Sequence, residues 1–296
     1  RSPSRGLGDV YKRQILARPT IGLQFGVLPH ESMILPLPKS VNPGQVAHVF
    51  ALARGGIGFD ELHQKLGYCG LESEDARLML SEMMQAKILR PSQGNVSFHV
   101  LASGVASERL EPVLEALGLS YSITSTPSEA RRSLIALPGA VFPTPDVQHA
   151  LMVNRVAHYP AGIVDGKTVL GPLVVPGVTP CLACADSYYG KIDDGWRGIR
   201  LQATGRPGST ERHLIQAAST QLAMMLNEHV LPWWQAHKDF IRTRRAARLQ
   251  QEPPPEEPDI PEVLKQRRLV DFATGAVQTY QVPFNDSCLS CRAVRV

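Results

Sequence analysis

The chain has 296 residues, of which 43% are hydrophobic and 20% are charged, and its formal net charge is +4. This length predicts about two domains, and the mild positive charge is too dispersed to demand a nucleic-acid partner. The sequence contains neither a run of about 18 apolar residues nor the apolar core of a signal peptide, so we expect a cytoplasmic protein without a membrane span.

Residues 1–19 form a head that we exclude from the fold prediction. The chain begins without Met, and residues 1–14 share no periodicity with later segments. This stretch looks like a read-through or adaptor-derived peptide joined to a truncated gene. We therefore expect the head to be non-native or disordered.

A first domain is predicted over residues 20–92, and it begins with a β-hairpin. Ile21, Leu23 and Phe25 alternate along the first strand, and residues 33–35 supply the second. Three helices are then predicted, the first between the Asn42-Pro43 cap and the Gly55-Gly56 stop, the others over residues 59–67 and 72–89.

This order of elements resembles the PqqD-like peptide clamp, a winged-helix-like α+β domain that captures the leader peptides of ribosomally made natural products. The resemblance implies that an extended peptide adds to the sheet as an extra strand. We predict that the peptide contacts Ile21, Leu23 and Phe25 along the hairpin edge and Leu78 on the third helix. Two other interpretations remain: a packing module, or a DNA reader, which the acidic residues of the third helix disfavour.

The second domain is predicted over residues 95–296, and it opens with a strand, a turn, a helix at 108–117 and a second strand. Phosphate-binding turns at such a position use GxGxxG, because glycines let backbone amides approach the phosphate. Only Gly104 is present here, with Ala102 and Ser107 where the flanking glycines would be. The turn is therefore predicted to keep its role in the fold and to have lost phosphate binding, so ATP is not expected as a cofactor.

A strand over residues 133–137 and a helix capped by Asp146 come next. They are followed by a hairpin whose turn is Asp165-Gly166, a strong hairpin signal. These elements continue the alternation that is typical of an α/β domain.

A polar crossover over residues 185–212 leads to a long helix, which Pro232-Trp233-Trp234 is predicted to end. Residues 245–261 are rich in proline and charge, and we expect this stretch to be a disordered linker. A last hairpin is predicted over residues 268–282.

Two CxxC pairs, Cys181 with Cys184 and Cys288 with Cys291, stand on either side of this crossover and linker. Four thiolates are the preferred tetrahedral cage of structural zinc, and a short CxxC loop lets both sulfurs of a pair point at one metal. We predict a closed zinc site that ties the last hairpin to the middle of the fold. The alternatives are two redox pairs or a chance spacing. Cys69 lies outside both pairs and is interpreted as a small buried hydrophobe.

A more specific resemblance is strongest over residues 150–184. Asn154-Arg155, His158-Tyr159-Pro160, the segment 169–177 and the CxxCxD run from Cys181 to Asp186 occur in an order similar to ThiF/MoeB-like, ubiquitin-activating-type proteins. The segment 169–177 looks most like the branch associated with thiazole- and oxazole-forming cyclodehydratases in bacteriocin biosynthesis. The resemblance implies a degenerate Rossmann-like domain with a zinc site, joined to a peptide clamp.

Active members of this superfamily adenylate a carboxylate with a phosphate loop and a magnesium-binding Asp at a strand end, and many use a crossover Cys. Here the strand end at residues 136–139 carries no carboxylate, and residues 185–212 contain no Cys. These losses predict a pseudo-enzyme, because the missing groups would stabilise charge or supply the nucleophile.

The leading hypothesis is therefore a scaffold that presents a precursor leader peptide to a YcaO-type heterocyclase or another modifying enzyme. Two alternatives stay open. One is an adenylyltransferase with a divergent ATP site that uses Arg131, Arg155 or Lys167 on phosphate, and the other is a winged-helix regulator. A homodimer is also compatible with the sequence.

Overall fold

The computed structural model describes residues 6–10, 14–53, 57–86, 88–91 and 96–294. The chain divides into two compact units, Arg1–Gly94 and Asn95–Val296. Gly55 and Gly56, the predicted stop of the first helix, lie outside the described residues.

Two antiparallel sheets supply the strands of the first unit. One sheet contains β2 (Ile15–Arg18), β3 (Gly22–Phe25) and β4 (Met33–Pro36) in that order, and the other contains β5 (Ile57–Gly58), β1 (Gly6–Val10) and β6 (Leu89–Pro91) in that order. The predicted hairpin is confirmed as β3 and β4, with Leu23 opposite Leu35.

The exclusion of residues 1–19 from the fold is wrong for β1 and β2. Gly6–Val10 pairs with β5 and β6, and Ile15–Arg18 pairs with β3 along its whole length. The physical reason is that a strand such as β3 has two edges, and the apolar run Ile15-Leu16-Ala17 covers the edge that β4 leaves open.

Three α-helices complete the described part of the first unit: α1 (Pro43–Leu52), α2 (Phe59–Tyr68) and α3 (Ser73–Gln85). Asn42 caps α1 as predicted, because its Oδ1 accepts a hydrogen bond from the Gly44 N–H at 2.8 Å. Helix α3 ends before the predicted Leu89, which pairs with β1 instead. The largest fully buried side chains of this unit include Leu23, Phe25, Phe50, Leu62 and Leu80. The hairpin and the three helices follow one another as predicted, with β1, β2, β5 and β6 in addition, and the winged-helix assignment stays a prediction.

A seven-stranded mixed sheet organises the second unit and confirms the α/β class. Its strands are β7 (Phe98–Leu101), β8 (Tyr121–Thr124), β9 (Leu134–Leu137), β10 (Ala157–Val164), β11 (Lys167–Leu170), β12 (Gln266–Asp271) and β13 (Val277–Gln281). Their order is β13-β12-β11-β10-β9-β7-β8. The β8, β7, β9 and β10 pairs are parallel, and those from β10 to β13 are antiparallel. The carboxyl ends of β7, β9 and β10 therefore meet at one edge, where ligands bind in open α/β sheets.

Local turn chemistry explains the change of direction in this sheet. Asp165 and Gly166 connect β10 to β11 with φ of 50° and 73°, which is the two-residue hairpin turn that Asp-Gly favours. The hairpin prediction is confirmed, as is the last hairpin, formed by β12 and β13.

Helices cover the parallel part of the sheet and connect its strands. They are α4 (Val105–Ala116), α5 (Pro145–Val153), α6 (Leu182–Tyr189), α7 (Trp196–Ala203), α8 (Arg212–Met225), α9 (Leu231–Gln250), α10 (Glu262–Lys265) and α11 (Leu289–Arg292). Helix α8 packs against α4, β10 and β11. Phe98, Leu110, Leu114 and Tyr159 are fully buried in the resulting core.

Two predicted helix boundaries are wrong. Thr144, and not Asp146, caps α5, because its Oγ1 accepts the Val147 N–H at 3.4 Å. Asp146 lies in the first turn, where a carboxylate also interacts favourably with the helix dipole. Pro232 does not end the long helix, because α8 continues through a π-helical turn at Leu226–Val230 into α9. The wider turn accommodates a proline, which has no amide to donate.

The disordered linker predicted over residues 245–261 is also corrected. Residues 245–250 belong to α9, because Arg, Ala, Leu and Gln are good helix formers. Residues 252–261 have no helix or strand, but Ile260 packs against the main core. The Trp233 indole N–H also donates to Pro258 O at 3.4 Å, so this segment has a defined path along the domain.

None of the helices in the described part of the chain has both the length and the apolar character that crossing a bilayer would need.

Candidate functional site

The two CxxC pairs lie at the starts of two short helices. Cys181 is the N-cap residue of α6 and Cys184 lies in its first turn, while Cys288 and Cys291 hold the same positions in α11. In the first pair the Cys184 N–H donates to Cys181 O at 3.0 Å. Each tight turn brings both sulfurs of its pair to one side of the helix start.

Close backbone approach brings the two pairs together. Gly177 has φ of 85°, and a Cβ built there would lie 3.3 Å from Val294 O. A side chain at this position would therefore push away the segment that follows the second pair. Thr179 holds the turn before the first pair, since its buried Oγ1 accepts the Val175 N–H at 2.7 Å and donates to Leu173 O at 3.0 Å.

The four sulfurs form a compact buried cluster. Cys181 Sγ lies 3.8 Å from Cys184 Sγ and 3.6 Å from Cys288 Sγ, and Cys184 Sγ lies 3.6 Å from Cys291 Sγ. All four lie within 4.8 Å of one another. A tetrahedron of sulfurs bonded to zinc at about 2.3 Å has edges of about 3.8 Å. The thiols are unbridged, and their separations fit a four-thiolate metal ion, so the cluster could hold a metal as predicted.

The thiols do not ionise equally without a cation. A hydrogen bond from Cys181 lowers the pKa of the Cys184 thiol to about 5, and the same bond raises the pKa of Cys181. Burial raises the pKa of Cys291 to about 11. A bound metal ion would lower the pKa of each thiol that binds it, because it stabilises the thiolate form of every ligand.

Charged and polar neighbours fix the first helix of the cluster. Asp186 on α6 accepts a hydrogen bond from Arg200 Nε at 3.0 Å, and Arg200 also donates to Pro143 O at 3.0 Å. His158 is fully buried beside Cys181 and donates from Nδ1 to Val156 O at 2.9 Å. Burial lowers the pKa of His158 to about 4, so its imidazole stays neutral. Arg200 was missed in the sequence, because 14 residues separate it from its partner.

The turn after β7 has the predicted shape but a different chemistry from a phosphate loop. Gly104 has φ of 61° and precedes α4. Ser107 is buried, and its Oγ accepts the Ser103 N–H at 3.1 Å and donates to Gly104 O at 2.9 Å. Ser107 stands at the position of the third glycine. Its hydroxyl therefore accepts the hydrogen bond of the Ser103 amide, which could otherwise donate to an anion. Ala102 donates its N–H to Thr124 O at 2.8 Å.

A cavity of about 430 Å³ lies at the carboxyl ends of β7, β9 and β10. Apolar side chains dominate its lining, with Arg206 the one charged residue among the described residues that line it. Neither Arg131, Arg155 nor Lys167 contributes to this lining. Arg131 and Arg155 precede β9 and β10, so they lie toward the opposite ends of these strands, and their predicted contact with phosphate is not supported.

The predicted peptide-contact residues of the first unit fall into two groups. Leu23 and Phe25 are fully buried in the middle strand of their sheet, and so they form no edge. Ile21 and Leu78 are 43% and 61% exposed. The predicted edge is wrong because β2 pairs with β3 on the side opposite β4, so the edge strands of this sheet are β2 and β4.

No protein-family model matches the chain, and a search of curated proteins finds no match. Solved structures do match. Over 97% of its length the chain is similar to a heterocyclase solved with its substrate and cofactor, with a TM-score of 0.57 and 12% identity. The heterocyclase TruD matches over 97% of the chain with a TM-score of 0.54 and 13% identity. MccB of E. coli, solved with AMPCPP and MccA, matches over 97% with a TM-score of 0.50 and 10% identity.

The share of each relative that is covered differs. The chain spans 39% and 42% of the two heterocyclases but 99% of MccB. At these identities the likeness concerns the fold. The chain therefore shares its fold with the matched parts of the two heterocyclases and with MccB.

Proposed function

We propose that this protein is a non-catalytic scaffold that binds the leader peptide of a ribosomally made precursor for a heterocycle-forming enzyme of the YcaO type. The observation that carries the proposal is an open apolar strand, β4, in the sheet of the first unit. Met33 and Ile34 on this strand are 38% and 42% exposed. The fold likeness to two heterocyclases and to MccB supports the same system.

The ladder of this sheet indicates which backbone groups a peptide would meet. Leu37 N–H donates to Ile21 O at 3.0 Å, and alternate residues of an antiparallel strand face the same side. The N–H and C=O of Ile34 and the C=O of Pro36 therefore face away from β3. An added strand would bond these groups and place alternate side chains over the first unit.

The other side of the sheet is a less suitable docking edge. By the same alternation the backbone groups of Ile15 and Ala17 face away from β3, because Gly26 N–H donates to Gln14 O at 2.8 Å. However, α1 packs against β2. We propose β4, with the exposed Leu78 of α3 as a further contact, as the peptide site.

Proline substitution tests this assignment without destroying the sheet. Ile34→Pro removes an outward-facing donor and no bond to β3, and Ala17→Pro is the matched change on the opposite edge. A fluorescein-labelled precursor peptide, taken from the gene neighbourhood, would be titrated by anisotropy. We expect Ile34→Pro to weaken binding by at least about tenfold, or about 1.4 kcal/mol, and Ala17→Pro to have little effect.

A larger loss of affinity for Ala17→Pro than for Ile34→Pro would place the peptide site on β2 instead. Equal affinities for both variants and the parent would contradict strand addition in this unit. Circular dichroism of each variant identifies any that has lost its fold.

We also propose that the four-cysteine cluster holds one structural zinc ion. All four positions are taken by protein thiols, so such a site is closed and leaves no place for substrate. Zinc in this site would stabilise the fold, and the cysteines would hold the last hairpin against α6.

A further inference from the structure

The cavity at the carboxyl ends of β7, β9 and β10 is well formed but unsuited to a nucleotide triphosphate. Its volume of about 430 Å³ falls within the range of roughly 300–1,000 Å³ that is usual for small-molecule sites. Phe142, Ile163, Ile215 and Leu222 contribute carbon surface to its walls. The cavity therefore offers space and apolar contact.

Groups that could balance several phosphate charges are scarce in this lining. Arg206 is the one cation among the described lining residues, and it lies on an exposed segment. The Ser103 N–H at the turn is already bonded to Ser107 Oγ at 3.1 Å. Moving a polyphosphate from water into such a lining would leave most of its charge uncompensated.

The hydroxyls around this turn offer little to a ligand. Ser103 Oγ has no hydrogen bond among the described residues, but it has no accessible surface toward the cavity. Ser219, on the α8 side of the cavity, is buried and has a long bond from its Oγ to Ala106 O at 3.4 Å. The lining therefore favours a ligand that presents mainly carbon surface.

From these observations we propose that the cavity binds a compact, uncharged, mainly aromatic or aliphatic molecule with few polar groups. The ligand bears no phosphate chain. The cavity belongs to the second unit, whereas β4 belongs to the first.

The neutral fluorophore N-phenyl-1-naphthylamine is a suitable probe, since it has an aromatic body and a single N–H. Its fluorescence rises on transfer from water to an apolar site, so the full-length protein can be titrated directly. We expect saturation at one probe per chain, and we expect millimolar ATP to leave the signal unchanged.

Substitutions at residues inside and beside the cavity wall test where the probe binds. Ile215→Trp on α8 fills the cavity, and Leu214→Trp makes the same change at the neighbouring residue, which does not line it. We expect Ile215→Trp to weaken binding by at least about tenfold and Leu214→Trp to have little effect. Val105→Trp, at a position 46% exposed on α4, provides a second filled variant should the first fail to fold.

Unchanged affinity in the folded cavity-filling variants would place the probe elsewhere and overturn the proposal. Displacement of the probe by ATP would overturn it in favour of a nucleotide site.

Discussion

Two helix starts of the second unit, those of α6 and α4, differ in what they present to a ligand. At α6 the sulfurs of Cys181 and Cys184 converge on those of Cys288 and Cys291, with separations that suit a metal. At α4 the Ser107 hydroxyl turns back on its own turn and bonds Ser103 and Gly104. The sulfurs at the first start could bind a metal, whereas the hydroxyl at the second is used within its own turn. A short motif can bind a ligand only when its polar atoms do not already form hydrogen bonds within the protein.

Substitution in the four-cysteine cluster should have the largest effect on stability. Cys288→Ser removes one of the four proposed ligands and leaves three thiols in the buried cluster. We expect loss of bound zinc and a fall of about 4 kcal/mol or more in the free energy of unfolding. Elemental analysis and chemical denaturation measure the two quantities.

Cys69→Ser is the matched control, since Cys69 lies outside the cluster. Protein purified without chelator that contains no zinc, or equal stability of the two variants, would contradict the zinc assignment.

The turn at α4 should give an intermediate effect. Ser107→Ala removes two hydrogen bonds from a buried turn and leaves the Ser103 N–H without its acceptor, so we expect a loss of about 1–3 kcal/mol. Ser128→Ala, at an exposed serine, serves as the control. We also expect ATP to leave the melting temperature of the parent protein unchanged. An ATP-dependent rise in the parent that Ser107→Ala abolishes would mean that the turn binds phosphate.

A buried histidine outside both helix starts should give the smallest effect. His237 stacks on Trp233 with ring centroids 4.9 Å apart. Burial lowers its pKa, against an opposing contribution from Glu257. Because the folded pKa lies below the unfolded value of about 6.5, the unfolded state takes up more protons, and stability should fall as the pH drops below about 6.5.

His237→Phe should remove this part of the pH dependence. The melting temperature at pH 7.5 and 5.5 in the parent and the variant measures it. An identical pH response in both would show that His237 does not contribute.

The features that could be predicted from the sequence depend on local chemistry. The CxxC turns and the Asp165-Gly166 hairpin were found because spacing and residue type decide them within a few residues. Features that depend on distant partners were missed. The pairing of Ile15–Arg18 with β3 requires the tertiary sheet, and the ion pair of Asp186 with Arg200 has no periodic signal. The sequence predicts a helix end at Pro232, because the local rule for proline does not include the burial of Trp233 and Trp234 in the core beyond it.

The irregular stretch 252–261 lies between the two cysteine pairs. With a metal in the cluster, the polypeptide is connected across this stretch in two ways, by its backbone and by the bonds from sulfur to metal. A protease cut there would leave two polypeptides in one particle. Separation of the fragments would require loss of the ion and opening of the β11–β12 ladder as well as the cut, so a nicked protein should hold together better with the metal bound than without it.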